Sequence, residues 1–222
     1  MFKLRAVTAA VLVASMASGC SMISQVNNAR SGYQAVQAYQ TAKGMMGAQP
    51  AFENATSFTV TTNLMPRDEE NAEAIKETFE RVVVAETEAT ADRLGVNLSY
   101  CNTACPSDAV RIQFNEKGRD GFVQRFAMGD VVGGDLYLTQ NGEILEEYPL
   151  EMGEDYAKMA EILTSAINLR IVKTAQSQLD SAYNAGDISK TEMEQKSQDI
   201  VDQMNAPVQL DEDSLEILKG QA

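Results

Sequence analysis

Residues 57–100 read SFTVTTNLMPRDEENAEAIKETFERVVVAETEATADRLGVNLSY, and their periodicity sets the fold class. Phe58, Val60, Thr62 and Leu64 alternate with neighbours of other character, as a strand with one buried face requires. Pro66 ends that run. Ile75, Phe79, Val82 and Val83 then fall on one helical face among Glu, Lys and Arg. Gly95 follows Leu94, where a left-handed residue closes a helix without a steric penalty. Val96, Leu98 and Tyr100 return to alternation.

The same reading extends downstream. Val110, Ile112 and Phe114 alternate, and the segment Gly121 to Leu150 holds two or three more strands. Asn141-Gly142 is the strongest hairpin signal in the chain, because a two-residue turn of the favoured hand needs positive φ at both positions. Met159, Ile162, Leu163, Ala166 and Ile167 mark a second long amphipathic helix. Strand, helix, strands, helix predicts an α/β (α+β) fold: a mixed or mostly antiparallel sheet covered by two long helices, spanning 57–172. Residues 173–222 read as a helical, acidic tail interrupted by Gly186. Ser189 and Glu192 stand at capping-box spacing and start a new helix. Pro207 to Ala222 reads as a short helix or a frayed end.

Upstream, residues 20–56 carry Ile23, Val26, Tyr33 and Val36 at rough helical spacing, broken by Gly44, Gly47 and Pro50. This is a tether helix or a partly ordered spacer. Residues 1–19 read as an export signal. Lys3 and Arg5 give a positive start, and Ala6 to Met16 is an apolar run too short to cross a bilayer core of about 30 Å as a helix. Small residues then lead to Cys20. Ala17-Ser18-Gly19-Cys20 resembles the lipobox of bacterial lipoproteins, with Ala17 where that family prefers Leu. The resemblance implies that Cys20 becomes the mature N-terminus and carries fatty acyl chains of the palmitate kind. Two or more such chains hold a protein firmly to a membrane. Ser21 after the lipidated Cys implies, by the same resemblance, the outer membrane of a Gram-negative bacterium, with the body facing the periplasm. An ordinary cleaved signal, with Cys20 a chance residue, is the alternative.

Composition narrows function. Eighteen basic residues stand against 32 acidic ones, a net charge of −14. Without residues 1–19, which carry Lys3 and Arg5, the balance is 16 against 32. Such a surface repels nucleic acid and anionic headgroups, and the sequence shows no cluster of Lys or Arg. With no His there is no Ser-His or Cys-His nucleophile pair and no imidazole zinc site. With no Trp, the commonest sugar-stacking platform is missing as well.

Cys101 and Cys105 flank three residues, and an oxidising compartment favours a disulfide closing that small loop. A redox or zinc role is the alternative, disfavoured by C-x-x-x-C spacing and by the lack of His. The glycines of Gly129 to Asp135 match neither a phosphate loop nor a dinucleotide fingerprint and suit bends between strands. The acidic groups Asp68-Glu69-Glu70, Glu146-Glu147 and Asp211-Glu212-Asp213 read as solvated faces. A glycosidase needs two carboxyls at set separation in a cleft, and abundance alone does not supply that.

Two further resemblances cover parts of the chain. Leu179 to Val201, LDSAYNAGDISKTEMEQKSQDIV, resembles the short C-terminal SHOCT domain, with Gly186, Ile188, Ser189, Glu192, Met193 and Lys196 in that family's pattern. Ser stands for its Thr, Met for its Phe, and Ser197 for a second Lys. The resemblance implies a small helical hairpin that mediates oligomerisation. Gly118 to Arg170 is similar to a family of uncharacterised bacterial lipoproteins related to the TolB N-terminal domain and the curli-export lipoprotein. Arg125, Gly129, Gly133, Gly134, Gly142 and Glu143 carry that likeness. It implies a helix-backed sheet serving as an assembly surface, with no catalytic residue and no cofactor. The expectation is a lipid-anchored module that binds envelope proteins, binds no nucleic acid and self-associates through its C-terminal helices, rather than an enzyme. A carboxylate-dependent envelope enzyme and a small-ligand carrier are the alternatives.

Overall fold

The computed structural model describes residues 48–66, 69–117, 132–153, 155–204, 208 and 210–219. All of them belong to one of the two compact units into which the chain divides, Gln40–Gly118 with Asp130–Ala222. Cys20, the export signal, most of the anchor segment, Arg125 and Gly129 lie outside the described residues.

The described elements are β1 (Ser57–Asn63), α1 (Ala72–Leu94), β2 (Ser99–Tyr100), β3 (Val110–Glu116), β4 (Val132–Gln140), β5 (Glu143–Gly153), α2 (Tyr156–Ala185), α3 (Lys190–Met204) and α4 (Glu212–Lys219). The five strands form one mixed sheet in the order β2-β1-β3-β4-β5. β1 pairs in parallel with both β2 and β3, while β3–β4 and β4–β5 are antiparallel. The fold is α+β, as the periodicity predicts.

Alternation decides the two faces. Phe58, Val60 and Thr62 of β1, Val110, Ile112 and Phe114 of β3, and Val132, Leu136 and Leu138 of β4 all point inward and are buried. They meet Ile75, Phe79, Val82 and Val83 of α1 and Met159, Leu163, Ala166 and Ile167 of α2. Phe79 stacks on Phe114 at 5.9 Å between centroids and meets Tyr156 edge-on at 6.4 Å. Each buried aromatic or aliphatic side chain of this size contributes about 1.5–3 kcal/mol through removal from water. The opposite face carries Thr61, Asn63, Arg111 and Gln113, all exposed. Mixed sheets with one solvated face show this inside-outside alternation.

The ends follow local chemistry. Gly95 and Gly186 close α1 and α2 in the left-handed conformation, at φ 68° and 84°. The residue after each glycine donates back five positions, Val96 to Ala91 and Asp187 to Ala182, at 2.9 Å in both cases. Asn141 and Gly142 turn β4 into β5 with φ 54° and 83°. Ser189 and Glu192 form the capping box at the head of α3, with reciprocal bonds of 2.9 and 3.3 Å. At the head of α4, Asp211 accepts the Ser214 amide at 2.8 Å, and Leu218 is fully buried. Within Pro207 to Ala222, Glu212–Lys219 is therefore a packed helix.

Two boundaries differ from the periodicity reading. α2 runs unbroken from Tyr156 to Ala185, so position 172 lies inside one helix. Residues 48–56, grouped above with the anchor segment, feed the core: Phe52 is fully buried, and its amide donates to Thr174 Oγ1 at 3.3 Å. The isolated aromatic gave no periodic signal, because its burial comes from a non-local contact with α2.

Candidate functional site

The open face of the sheet is crossed by the connection from β2 to β3. Both strands are parallel to β1 and lie on either side of it, so residues 101–109 must pass over β1. α1 and α2 already cover the inner face. Cys101 and Cys105 form a disulfide within this crossing, with Cα atoms 5.6 Å apart. That separation is ordinary for a cystine.

Beside the crossing lies an open cleft of about 880 Å³. Thr59, Val60 and Thr61 of β1 form one wall, Lys76 and Glu80 of α1 another, and Tyr100, the disulfide and Arg111 complete the rim. β2 accounts for the shape. It pairs with only Ser57 and Phe58, whereas β3 pairs with β1 from Phe58 to Asn63. The outer edge of β1 beyond Phe58 therefore has no strand beside it among the described residues. Val96 and Leu98 read as strand but are buried by packing and do not join the ladder.

Two glutamates of α1 take acceptor roles along this edge. Glu80 accepts the Thr62 amide and hydroxyl, both at 2.8 Å, and Glu88 accepts the Tyr100 amide at 2.7 Å. Side chains that cover an edge in this way limit uncontrolled strand pairing. Lys76 and Arg111 line the same cleft, and neither has a carboxylate partner among the described residues. The sequence shows no basic cluster, yet folding brings these two cations, 35 positions apart, to one place.

No protein-family model matches the chain, and no curated protein matches it. A solved structure titled "Crystal structure of uncharacterized protein" is similar over 55% of this chain and 90% of its own, at 11% identity and a TM-score of 0.31. That likeness is too slight to bear on fold or function.

The other residues singled out by sequence go elsewhere. Gly134 lies in β4 against β3, where a Cβ would stand 2.7 Å from the Phe114 ring and collide with the Asn115 carbonyl. Its role is close strand packing, and it is no ligand loop. The Glu146-Glu147 pair is split and is not a solvated patch. Glu146 turns inward onto Arg170, which contacts it through Nε at 2.8 Å and Nη2 at 2.6 Å. The Gln49 amide donates to its other oxygen at 2.8 Å. Glu147 stays on the open face beside Tyr137. Partial burial, Asp135 and a hydrogen bond to Glu147 raise the Tyr137 hydroxyl above its ordinary value. Asp211 is a helix cap, and its bonds from Ser214 hold its carboxyl below the usual range. Among the described residues, no group of three or more Cys, Asp or Glu is placed to hold a metal.

A bulge adds one more feature. The register of β4 against β5 shifts between Leu138 and Thr139, so that Leu145 is the extra residue. Ile144 thereby pairs with Thr139 on the open face, where strict alternation would place it with Glu146 and Tyr148. Ile144 is 61% exposed beside the cleft wall formed by Thr139, Asn141 and Gly142.

Proposed function

We propose that this chain is a lipoprotein of the Gram-negative outer membrane, held by acyl chains on Cys20, whose periplasmic body binds envelope proteins through the sheet face that no helix covers among the described residues. The observation that carries the reading is that face itself. Helices cover one side of the sheet, while the other presents an open cleft flanked by exposed Ile144, with exposed Tyr100 at the cleft rim on the helix side, beside Phe58. A protein interface combines such aromatic and aliphatic anchors with a polar surround. The described lining of the cleft includes one carboxylate, Glu80, already bonded to Thr62. Paired-acid hydrolysis requires two. None of the described helices is long and apolar enough to cross a membrane.

Self-association through the C-terminal helices is a second partner reading. It is supported by a groove of about 660 Å³ between the ends of α1, α2 and α3, with Leu179, Ile188 and Ile200 in its wall. The test is chemical crosslinking in intact cells, followed by detergent extraction and identification of what stays bound. The reading expects one or a few envelope proteins in stoichiometric yield, from a chain that begins at acylated Cys20. An unacylated chain that captures nothing and turns over peptidoglycan fragments would overturn it.

A further inference from the structure

We propose that the cleft beside β1 binds an extended, acidic polypeptide segment as an added strand. This rests on the protein-binding reading above and specifies its partner. The carbonyls of Thr56 and Phe58 already accept from Ser99 at 3.1 Å and Cys101 at 2.8 Å, on the β2 side of β1. Strand alternation turns the backbone groups of Val60 and Thr62 to that same side. Thr62 gives its amide to Glu80. Val60, between these two anchors, has no such partner on that side among the described residues, and it lines the cleft. The edge left without a strand among the described residues is short, so Val60 is the central pairing residue of any strand laid there. Main-chain pairing of this kind supplies affinity, and side-chain pockets supply selectivity.

Charge selects the segment. The chain has 32 acidic and 18 basic residues, yet the described cleft lining holds two cations with no carboxylate partner among the described residues, against one engaged carboxylate. Successive side chains of an added strand point to opposite faces of the sheet. Lys76 stands on the α1 side of β1 and Arg111 on its open side. A carboxylate on the α1 side of the segment would meet Lys76, and one on the open side would reach across Thr59 towards Arg111, its register partner on β3. Threonine hydroxyls at positions 59, 61 and 139 and the exposed ring of Tyr100 offer further contacts. A strongly acidic surface around a locally basic cleft also guides an acidic segment to this place over others.

The experiment uses the full chain in detergent and two labelled synthetic peptides, one of alternating glutamate and threonine and one with lysine for glutamate. Fluorescence anisotropy reads affinity, and amide hydrogen exchange reads the Val60 N–H. The expected result is saturable binding of the glutamate peptide alone, weakened by added salt. Lys76→Glu with Arg111→Glu should weaken it about tenfold, the effect of two surface ion pairs. Slowed exchange at Val60 should accompany binding. Arg111 is exposed and Lys76 half-buried, and circular dichroism of the double variant checks that the fold is kept. Equal binding of both peptides, or an unchanged Val60 amide at saturation, overturns the proposal. Binding of sulfated saccharide or anionic vesicles in place of the peptide overturns it in favour of another anion. Should the peptide fail while cellular crosslinks still arise from the sheet face, this inference falls and the broader reading stands. Should both fail, the broader reading falls too.

Discussion

Arg170 is the largest fully buried side chain in the described structure, and its charge is held in three ways. Nε and Nη2 bond Glu146, Nη1 donates to the Ala166 carbonyl at 2.9 Å, and the guanidinium lies 4.2 Å from the Tyr148 ring centroid. Removing one partner of a buried ion pair strands the other charge. Arg170→Met is therefore expected to cost about 3–5 kcal/mol in urea unfolding. A cost below about 1 kcal/mol would show that the pair is solvated. Tyr148 makes the opposite case. Its hydroxyl is buried without a hydrogen-bond partner among the described residues, and burial pushes its ionisation up despite the pull of Arg170. Tyr148→Phe keeps the ring under the guanidinium and removes the unbonded oxygen. It should leave stability unchanged or raise it by about 1 kcal/mol, read from the same unfolding curves. Neither role was legible in sequence, because Arg170 and Glu146 sit 24 positions apart and are joined only by the packing of a helix on a strand. Glu116 is a parallel case: buried, and bonded to the Tyr156 hydroxyl 40 positions away.

At the scale of elements, the long helices were readable because periodicity over many residues outweighs single exceptions. The glycine stops at 95 and 186, the Asn141-Gly142 turn and the Ser189–Glu192 cap were readable because each is a local rule. What escaped was everything set by pairing partners. β2 pairs with only two residues of β1, and the bulge at Leu145 turns Ile144 outward, although both segments alternate in sequence. The cleft exists because of the first of these and gains an apolar flank from the second. The cap at α3 also sets a pH dependence. Bonds from the Ser189 amide and hydroxyl lower the Glu192 carboxyl below its ordinary 4.5. Its folded value lies below its unfolded one, so its stabilisation is present above the unfolded value and is lost as pH falls through the folded one. The protection of amides in the first turn of α3, taken relative to the intrinsic exchange rate at each pH, should therefore fall as pH drops below the ordinary glutamate range, while the middle of α2 stays protected. Ser189→Ala should quicken exchange there already at neutral pH and flatten the pH response. An unaltered profile in that variant would rule out the cap as its source.

For the whole molecule, the two faces of one sheet divide the work. α1 and α2 bury the inner face and supply stability. The outer face remains polar, bridged by Lys117–Asp135 at 2.8 Å and crossed by the disulfide loop. With the proposed lipid anchor at Cys20, such a body needs no large interface to find its partners, because confinement at the membrane raises their effective concentration. The account stands or falls on which face meets other proteins. A photo-crosslinking amino acid placed at Gln113, exposed on the open face, and separately at Ser165, exposed on α2, compares the two directly in living cells. The account predicts a discrete crosslinked protein from position 113 and none from position 165. Crosslinks from 165 alone would contradict it.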